Sequence, residues 1–449
     1  MHITVFGIVW ILILGCSFFI PIKYLGRMLI ITGIFQASSV INIGDKGIYA
    51  MIIADAVFIF RSAFSTRFKR GEKYGNWIKL WCVFAVVAIL GAIFLPILFK
   101  GTLVRTSGMK NLQDMIPLTY TSRNTIQIIT LLANSITLIV FYKNKDKFDA
   151  KFMLDSFIIA IGIVLFIGFW EYLSKIGLCP IKFPSELIYN NIGYSQAYNQ
   201  NTSFGIKRMN STFTEASVCG AFLSASFWAC ISLKSKKANI MAIILLIALV
   251  CNFSGTGVMS MLAGAAIYIL LSDNKKRVIP LIIGCLILLI ILNAIGMLDQ
   301  FVEMITGKLT STSGNIRMSA NTYSLELILK TFGLGVGLGS HKSSSLIINL
   351  LSVIGIPGTI LFLMSMYYLF KPIYKLRTKN SYCNFGIMFF LVMFVAQCLS
   401  IPDLTFTPLW MCLYYNCCLN INKISQDVEE KNKKQEEIVY ENSNYDLDI

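Results

Sequence analysis

Charge is scarce in this sequence. Only 14% of its 449 residues are Asp, Glu, Lys or Arg, against 56% hydrophobic residues and a mean hydropathy of +0.68. That balance excludes an ordinary water-soluble domain, in which about a quarter of the residues are charged. Histidine occurs twice, and the 12 cysteines include no Cys-x-x-Cys pair and no metal-type spacing with either histidine. A zinc or dithiol centre is excluded on that spacing. The cysteines, most of them inside apolar stretches (Cys16, Cys82, Cys230, Cys251, Cys285, Cys398), read as inert core residues. Residues 3–20 lack both a basic leader and a small-residue cleavage site, so a retained helix is expected there, not a signal peptide.

What the chain has in place of charge is length of apolar sequence. Residues 80–99, 152–170, 278–298 and 346–370 each carry enough apolar residues to cross a hydrocarbon core of about 30 Å as a helix. Backbone amides unpaired in lipid are not tolerated, so the spanning segments must be helical. Spans are expected near 3–22, 28–44, 47–60, 80–99, 125–142, 152–170, 213–233, 240–254, 257–272, 278–298, 346–370, 383–400 and 404–421. The expectation is an all-α integral membrane protein of about 12–13 transmembrane helices, forming one polytopic domain over 1–421.

The net charge of +16 does not point to nucleic acid, because the basic residues fall in every second connection. They sit at Lys23 and Arg27 and then at 61–79, 143–151, 234–237, 275–277 and 371–379. By the positive-inside rule these connections are cytoplasmic, which puts the N-terminus outside. The polar tail over 422–449 is then inside and is expected to be disordered. The long connections 100–124, 171–212 and 299–345 fall on the outer face. They exceed what joining helices requires, so function is expected to concentrate in them.

Three motifs lie in or beside these loops. Arg208-Met-Asn-Ser-Thr-Phe-Thr-Glu215 leads into the seventh span and sets a cation, paired with Lys207, near a carboxylate. Either Arg208 offers bidentate donors to a diphosphate, or Lys207 and Arg208 anchor a helix end to headgroups while Thr214 caps the helix. Ser254-Gly-Thr-Gly257 interrupts an apolar run from 240 to 272. It reads either as a tight outer turn or as a broken helix presenting Ser254 and Thr256 to a ligand. The third loop holds Ser313-Gly-Asn-Ile-Arg317, an amphipathic stretch over 318–330, and Gly333-Leu-Gly-Val-Gly-Leu-Gly-Ser-His341. Gly335 and Gly337 allow close backbone approach to a substrate or make a flexible linker, but the pattern is neither a Walker loop nor a Rossmann fingerprint. His341 is either a titrating catalytic group or a solvated loop histidine. Asp55 and Asp155 lie near the ends of expected spans, which favours interfacial placement.

In their order these elements resemble the O-antigen polymerase and O-antigen ligase family of bacterial membrane glycosyltransferases. The likeness runs through Arg208 to Phe222, the Ser254 to Gly257 element, Arg317 through Gly339, and Gly355-Ile-Pro-Gly358, covering about the C-terminal half of the chain. Ser344 and Ser345 occupy the register where ligases carry a His-Asn pair, and the Glu215-Ala-Ser that follows Arg208 looks more like the polymerases of surface and capsular polysaccharides. The resemblance implies a GT-C-like multi-helix bundle without a cofactor. Its substrate would be an undecaprenyl-diphosphate-linked oligosaccharide, and a separate regulator would set chain length. No Asp-x-Asp occurs in the outer loops, which fits metal-independent transfer. Arg208 and Arg317 would then hold the diphosphate, and Glu215 or His341 would be the general base. A ligase, or a transporter for the same lipid-linked sugars, is the alternative. A transporter predicts charges lining a path through the bundle, whereas a polymerase predicts Arg208 and Arg317 at the outer surface.

Overall fold

The computed structural model describes residues 2–44, 46–65, 75–106, 114–192, 198, 205–271 and 312–430. Most of these are helical. Among the described residues five helices are long and apolar enough to cross a membrane: α4 (Asn76–Leu98), α5 (Ser122–Lys143), α6 (Ala150–Lys175), α13 (Gly355–Leu376) and α14 (Ser381–Ser400). Shorter helices complete the bundle. They are α1 (Val5–Cys16), α2 (Ile22–Thr32), α3 (Ala50–Ser65), α7 (Ser185–Ile188), α8 (Ala216–Ser232), α9 (Lys236–Asn252), α10 (Gly255–Leu271), α11 (Thr312–Lys330), α12 (Leu346–Val353) and α15 (Thr407–Cys417). The expected span at 278–298 and the basic cluster at 275–277 lie outside the described residues.

Two long apolar runs do not form single helices. The run at 28–44 stops at Thr32, and a helix of 11 residues rises only about 16 Å. After Gly33, residues Ser39–Ile43 (β2) pair antiparallel with His2–Ile3 (β1) and with Lys46–Tyr49 (β3). Strand pairing wins here because the segment is rich in β-branched residues (Val40, Ile41 and Ile43), and Gly44, at φ +59, supplies the turn. The run at 346–370 breaks at Gly355, whose φ of +78 ends α12 and starts α13 in a new direction. A second small ribbon joins Leu103–Val104 (β4) to Ile116–Pro117 (β5). At the C-terminus, residues 422–430 of the segment expected to be disordered are helical.

The centre of the bundle is α8, almost every residue of which is buried between α9, α10 and α14. Its small residues permit that crowding. A Cβ on Gly220 would sit 2.9 Å from the Gly257 Cα, so these two backbones touch where α8 crosses α10. Ser224 Oγ donates to the Gly257 carbonyl (2.8 Å), and one turn further Trp228 Nε1 donates to the Met261 carbonyl (3.0 Å), its indole lying over Gly264.

Hydrogen bonds between helix ends sort the connections into two sets. At one end Arg61 donates to the carbonyls of Ser17 (2.6 Å) and Ile20 (2.9 Å), Asn384 to Ser232 (3.2 Å) and Asn420 to Asp146 (2.6 Å). Lys23, Lys145, Lys147 and Lys423 line a cavity of about 610 Å³ there together with Asp146, Asp149 and Asp427, and the basic connections among the described residues meet at this end. The three motifs lie at the other. Asp155 is exposed near the start of α6, as an interfacial residue would be. Asp55 is not interfacial: α3 begins at Ala50 and carries it into the bundle, fully buried, where Tyr414 donates to it across 3.0 Å.

Candidate functional site

The motif end is built around a buried carboxylate. Helix α6 runs to Lys175, one turn past the expected end of its span, so Glu171 sits in the last helical turn and is completely buried. Glu171 and Lys175 are four residues apart and therefore meet on one face; the ammonium lies 2.6 Å from Oε1. Tyr189 donates to the same oxygen (2.6 Å), while Oε2 accepts the backbone N–H groups of Asn210 (2.8 Å) and Ser211 (2.6 Å). Ser211 adopts φ +56, which turns these two amides toward one acceptor.

The chain that follows Arg208 is fixed. Lys175 Nζ donates to the Arg208 carbonyl (3.0 Å), Met209 N–H to the Cys251 carbonyl (3.1 Å), and Asn252 Nδ2 to the carbonyls of Met209 (2.6 Å) and Ala216 (2.9 Å). The Arg208 side chain is half-buried, and its Nε is buried without a hydrogen-bond partner among the described residues. Burial lowers the guanidinium pKa, and the negative charge of Glu215 pulls it back up. Glu215 occupies the N-cap position of α8 that Thr214 was expected to take; it is exposed and accepts from Ser217 Oγ (2.9 Å). Thr214 instead reaches Gln36 at 3.4 Å. A cation with unused donors thus stands near a solvent-facing carboxylate.

The Ser254 element is a tight turn. Phe253, at φ 43, closes α9, and α10 starts at Gly255. Ser254 and Thr256 are both buried; the Ser254 carbonyl accepts from Val258 N–H (3.0 Å) and Thr256 Oγ1 accepts from Ser400 Oγ (3.2 Å). The Thr256 hydroxyl braces α10 against α14, and neither residue projects into an open space.

On α11, Arg317, Asn321 and Ser324 follow the spacing of one helical face. Asn321 accepts from Ser344 N–H (3.0 Å), which turns this face toward the loop that follows the glycines. Arg317 is half-buried and makes no hydrogen bond or ion pair among the described residues. The glycines themselves face inward. Val336 N–H donates to Ser352 and Gly337 N–H to Val353, each at 2.9 Å. A Cβ on Gly335 would meet Gly355 N at 2.8 Å, and one on Gly337 would meet the Gly91 carbonyl of α4 at 3.0 Å. Close backbone approach is therefore used for packing the loop onto α12, α13 and α4.

His341 is also committed to the protein. It is 5% exposed; Arg105 N–H donates to Nδ1 (3.1 Å), which leaves the ring proton on Nε2, 2.8 Å from Ser324 Oγ. Ser324 Oγ donates to the Ala320 carbonyl (2.7 Å) and so accepts from His341. Burial, with the Arg105 charge, lowers the His341 pKa from 6.5 to about 4, so the ring is neutral near pH 7 and has no lone pair left for a substrate proton. The sign of its pH effect follows. An unfolded chain binds this proton near pH 6.5 and the folded chain only near 4, so stability is lost as pH falls through that interval, by on the order of 3 kcal/mol. Thermal unfolding in detergent at pH 7 and pH 5 is expected to show about 2 kcal/mol of this loss, and His341→Asn, which keeps an acceptor for Arg105 N–H, is expected to reduce it.

A short connection that hydropathy alone does not single out joins these parts. Between α14 and α15, Asp403 forms an ion pair with Lys342 (3.0 Å), the Pro402 carbonyl accepts from Asn349 (3.1 Å), and the Asp403 carbonyl accepts from Gln397 (3.2 Å). Thr407 then donates to the Gly33 carbonyl (2.8 Å), and the adjoining Gln36 and Ala37 amides donate to the Thr212 carbonyl (3.1 and 2.9 Å). The structure thus brings Arg208 and Glu215 together and joins their loop, through residues 400–407, to Thr256 on one side and to the His341 loop on the other. Glu171, Lys175, Asn252, Lys342 and Asp403 are the site-building residues that sequence reasoning missed. Only the Glu171–Lys175 spacing, at the end of an apolar run, carried a local signal. No protein-family model matches this chain, and no curated protein matches it.

Proposed function

We propose that the chain is a polysaccharide polymerase of the O-antigen or capsule type, a metal-independent glycosyltransferase in the bacterial cytoplasmic (inner) membrane. On this reading it is a GT-C-like bundle of about 12–13 spans with its motif end outward and its C-terminus cytoplasmic. The lysines of the opposite end support that orientation through the positive-inside rule. The observation that carries the reading is Arg208: a half-buried guanidinium with a buried, unpartnered Nε, beside the exposed carboxylate of Glu215.

Those two groups supply what transfer from a lipid diphosphate requires. The bond between the anomeric carbon and the diphosphate oxygen breaks as a bond to the acceptor hydroxyl oxygen forms. Negative charge grows on the leaving diphosphate, where a preorganised guanidinium lowers the barrier. The hydroxyl proton passes to a carboxylate, and Glu215 takes that role in preference to His341, whose ring nitrogens are both engaged. Arg317, without a partner among the described residues, is the second diphosphate cation.

The test is direct. Purified protein in detergent is mixed with an undecaprenyl-diphosphate-linked oligosaccharide and the products are weighed by mass spectrometry. Glycans at integer multiples of the repeat mass, with one undecaprenyl diphosphate released per bond formed, are expected. Recovery of unreacted substrate alone counts against the reading.

A further inference from the structure

The Arg208 cation does not hold its own position, since its side chain has no hydrogen-bond partner at Nε and its backbone is gripped by groups from another helix. On both sides of Met209 the grip comes from α6: Lys175 holds the Arg208 carbonyl, and Glu171 holds the Asn210 and Ser211 amides. We infer that Glu171, through its bonds to Lys175, Tyr189 and the two amides, is a positioning residue that sets the Arg208 guanidinium for anionic diphosphate.

Three features argue for positioning beyond ordinary packing. First, Glu171 is completely buried and Lys175 has 4% side-chain exposure. Such a pair is a weak source of net stability, because the desolvation of both charges offsets their attraction, and its better-attested use is to specify one arrangement. Second, the carboxylate accepts four donors, two of them main-chain amides of a loop some forty residues later in sequence. An internal anion has been placed where that loop must wrap around it. Third, the wrapping has no slack. Ser211 is held in the left-handed region, Ser211 Oγ donates to the Val164 carbonyl (2.7 Å), and a Cβ on Gly168 would lie 2.7 Å from the Met209 sulfur. A backbone held this tightly fixes the point from which the Arg208 side chain reaches out, and a displacement of about 1 Å is enough to lower the rate about a hundredfold.

This inference rests on the diphosphate reading of Arg208, and its test separates the two. Farnesyl diphosphate serves as the probe, with affinity measured for the wild type, Glu171→Gln, Arg208→Ala and the double variant in detergent. An amide places N–H donors where two of the four bonds need an acceptor, so Glu171→Gln is expected to bind about ten- to a hundredfold more weakly. In the Arg208→Ala background the same change is expected to add less than about twofold, because it acts only through Arg208. Full multiplicative loss in the double variant overturns the positioning role. Should Glu171→Gln fail to fold, Tyr189→Phe removes one of the four donors and is expected to give a smaller loss with the same non-additivity. A readout independent of any ligand is tryptic cleavage after Arg208, relative to cleavage after the exposed Lys182. It is expected to accelerate in both variants, and an unchanged ratio contradicts the inference. Absence of probe binding by the wild type counts against the diphosphate reading, and the cleavage ratio then decides the positioning role alone.

Discussion

Arg208→Ala is expected to slow glycan elongation by about a hundred- to a thousandfold, the usual cost of deleting one preorganised donor to developing negative charge. The loss should fall on turnover more than on folding. Arg208 accepts no structural duty that the surrounding chain does not already perform: its carbonyl, not its guanidinium, is what Lys175 binds. The melting temperature in detergent should therefore move little. Arg208→Lys retains the charge and loses the planar fork, so it should recover part of the rate, and equal recovery by lysine would argue that simple charge, not bidentate geometry, is what the site uses. Initial rates from the lipid-linked oligosaccharide, measured beside a thermal melt of each variant, check both parts.

The largest structural effect is expected at Gly335. This residue has φ +82, and a Cβ there would lie 2.8 Å from Gly355 N, 2.9 Å from the Val353 carbonyl carbon and 3.0 Å from the Ser352 carbonyl oxygen. Those atoms are backbone, so no side-chain rotation relieves the overlap. Gly335→Ala should cost about 3 kcal/mol or more, combining left-handed strain with loss of the hydrogen bonds that seat the loop on α12. Gly101 provides the comparison, having φ +88 with nothing within 4 Å of an added Cβ. Gly101→Ala should cost only the backbone strain, about 1 kcal/mol. Denaturant or thermal unfolding of the two variants side by side is decisive, and equal costs would mean that the glycine loop is not packed as described.

Much of the bundle was legible in the sequence. The helices α4, α6 and α14 arise from apolar runs that stay helical throughout, α4 even through Pro96, and the basic connections among the described residues meet at one end. The runs at 28–44 and 346–370 were misread because hydropathy registers how apolar a segment is, not where its backbone turns. Gly44 and Gly355 decide those turns through positive φ, and strand pairing with residues 2–3 and 46–49 claims the segment after Thr32. Asp55 looks interfacial when its span is drawn to end at 60, whereas α3 continues to Ser65 and packing buries Asp55 completely.

The candidate site was legible only in its outline. Arg208 and Glu215 come together because they are close in sequence at a helix start. His341 could not be assigned from its surroundings in sequence, since the group that occupies its Nδ1 is the amide of Arg105, 236 positions away. The glycines around it signal close approach, and sequence does not reveal that the approaching partners are α4, α12 and α13. Glu171 was placed at the start of an outer loop because Trp170 ended the apolar run; a single extra turn of helix turns it into a buried support for that loop.

The central claim is that Arg208 and Arg317 serve the transfer of a glycan from a lipid diphosphate. It is tested most directly by reconstituting the purified wild type, Arg208→Ala and Arg317→Ala in liposomes with an undecaprenyl-diphosphate-linked repeat unit and resolving the products on a gel. A ladder of glycans from the wild type, lost from both variants while each remains folded, is the predicted result. Movement of the intact lipid-linked unit across the bilayer with no ladder would contradict it and identify a transporter.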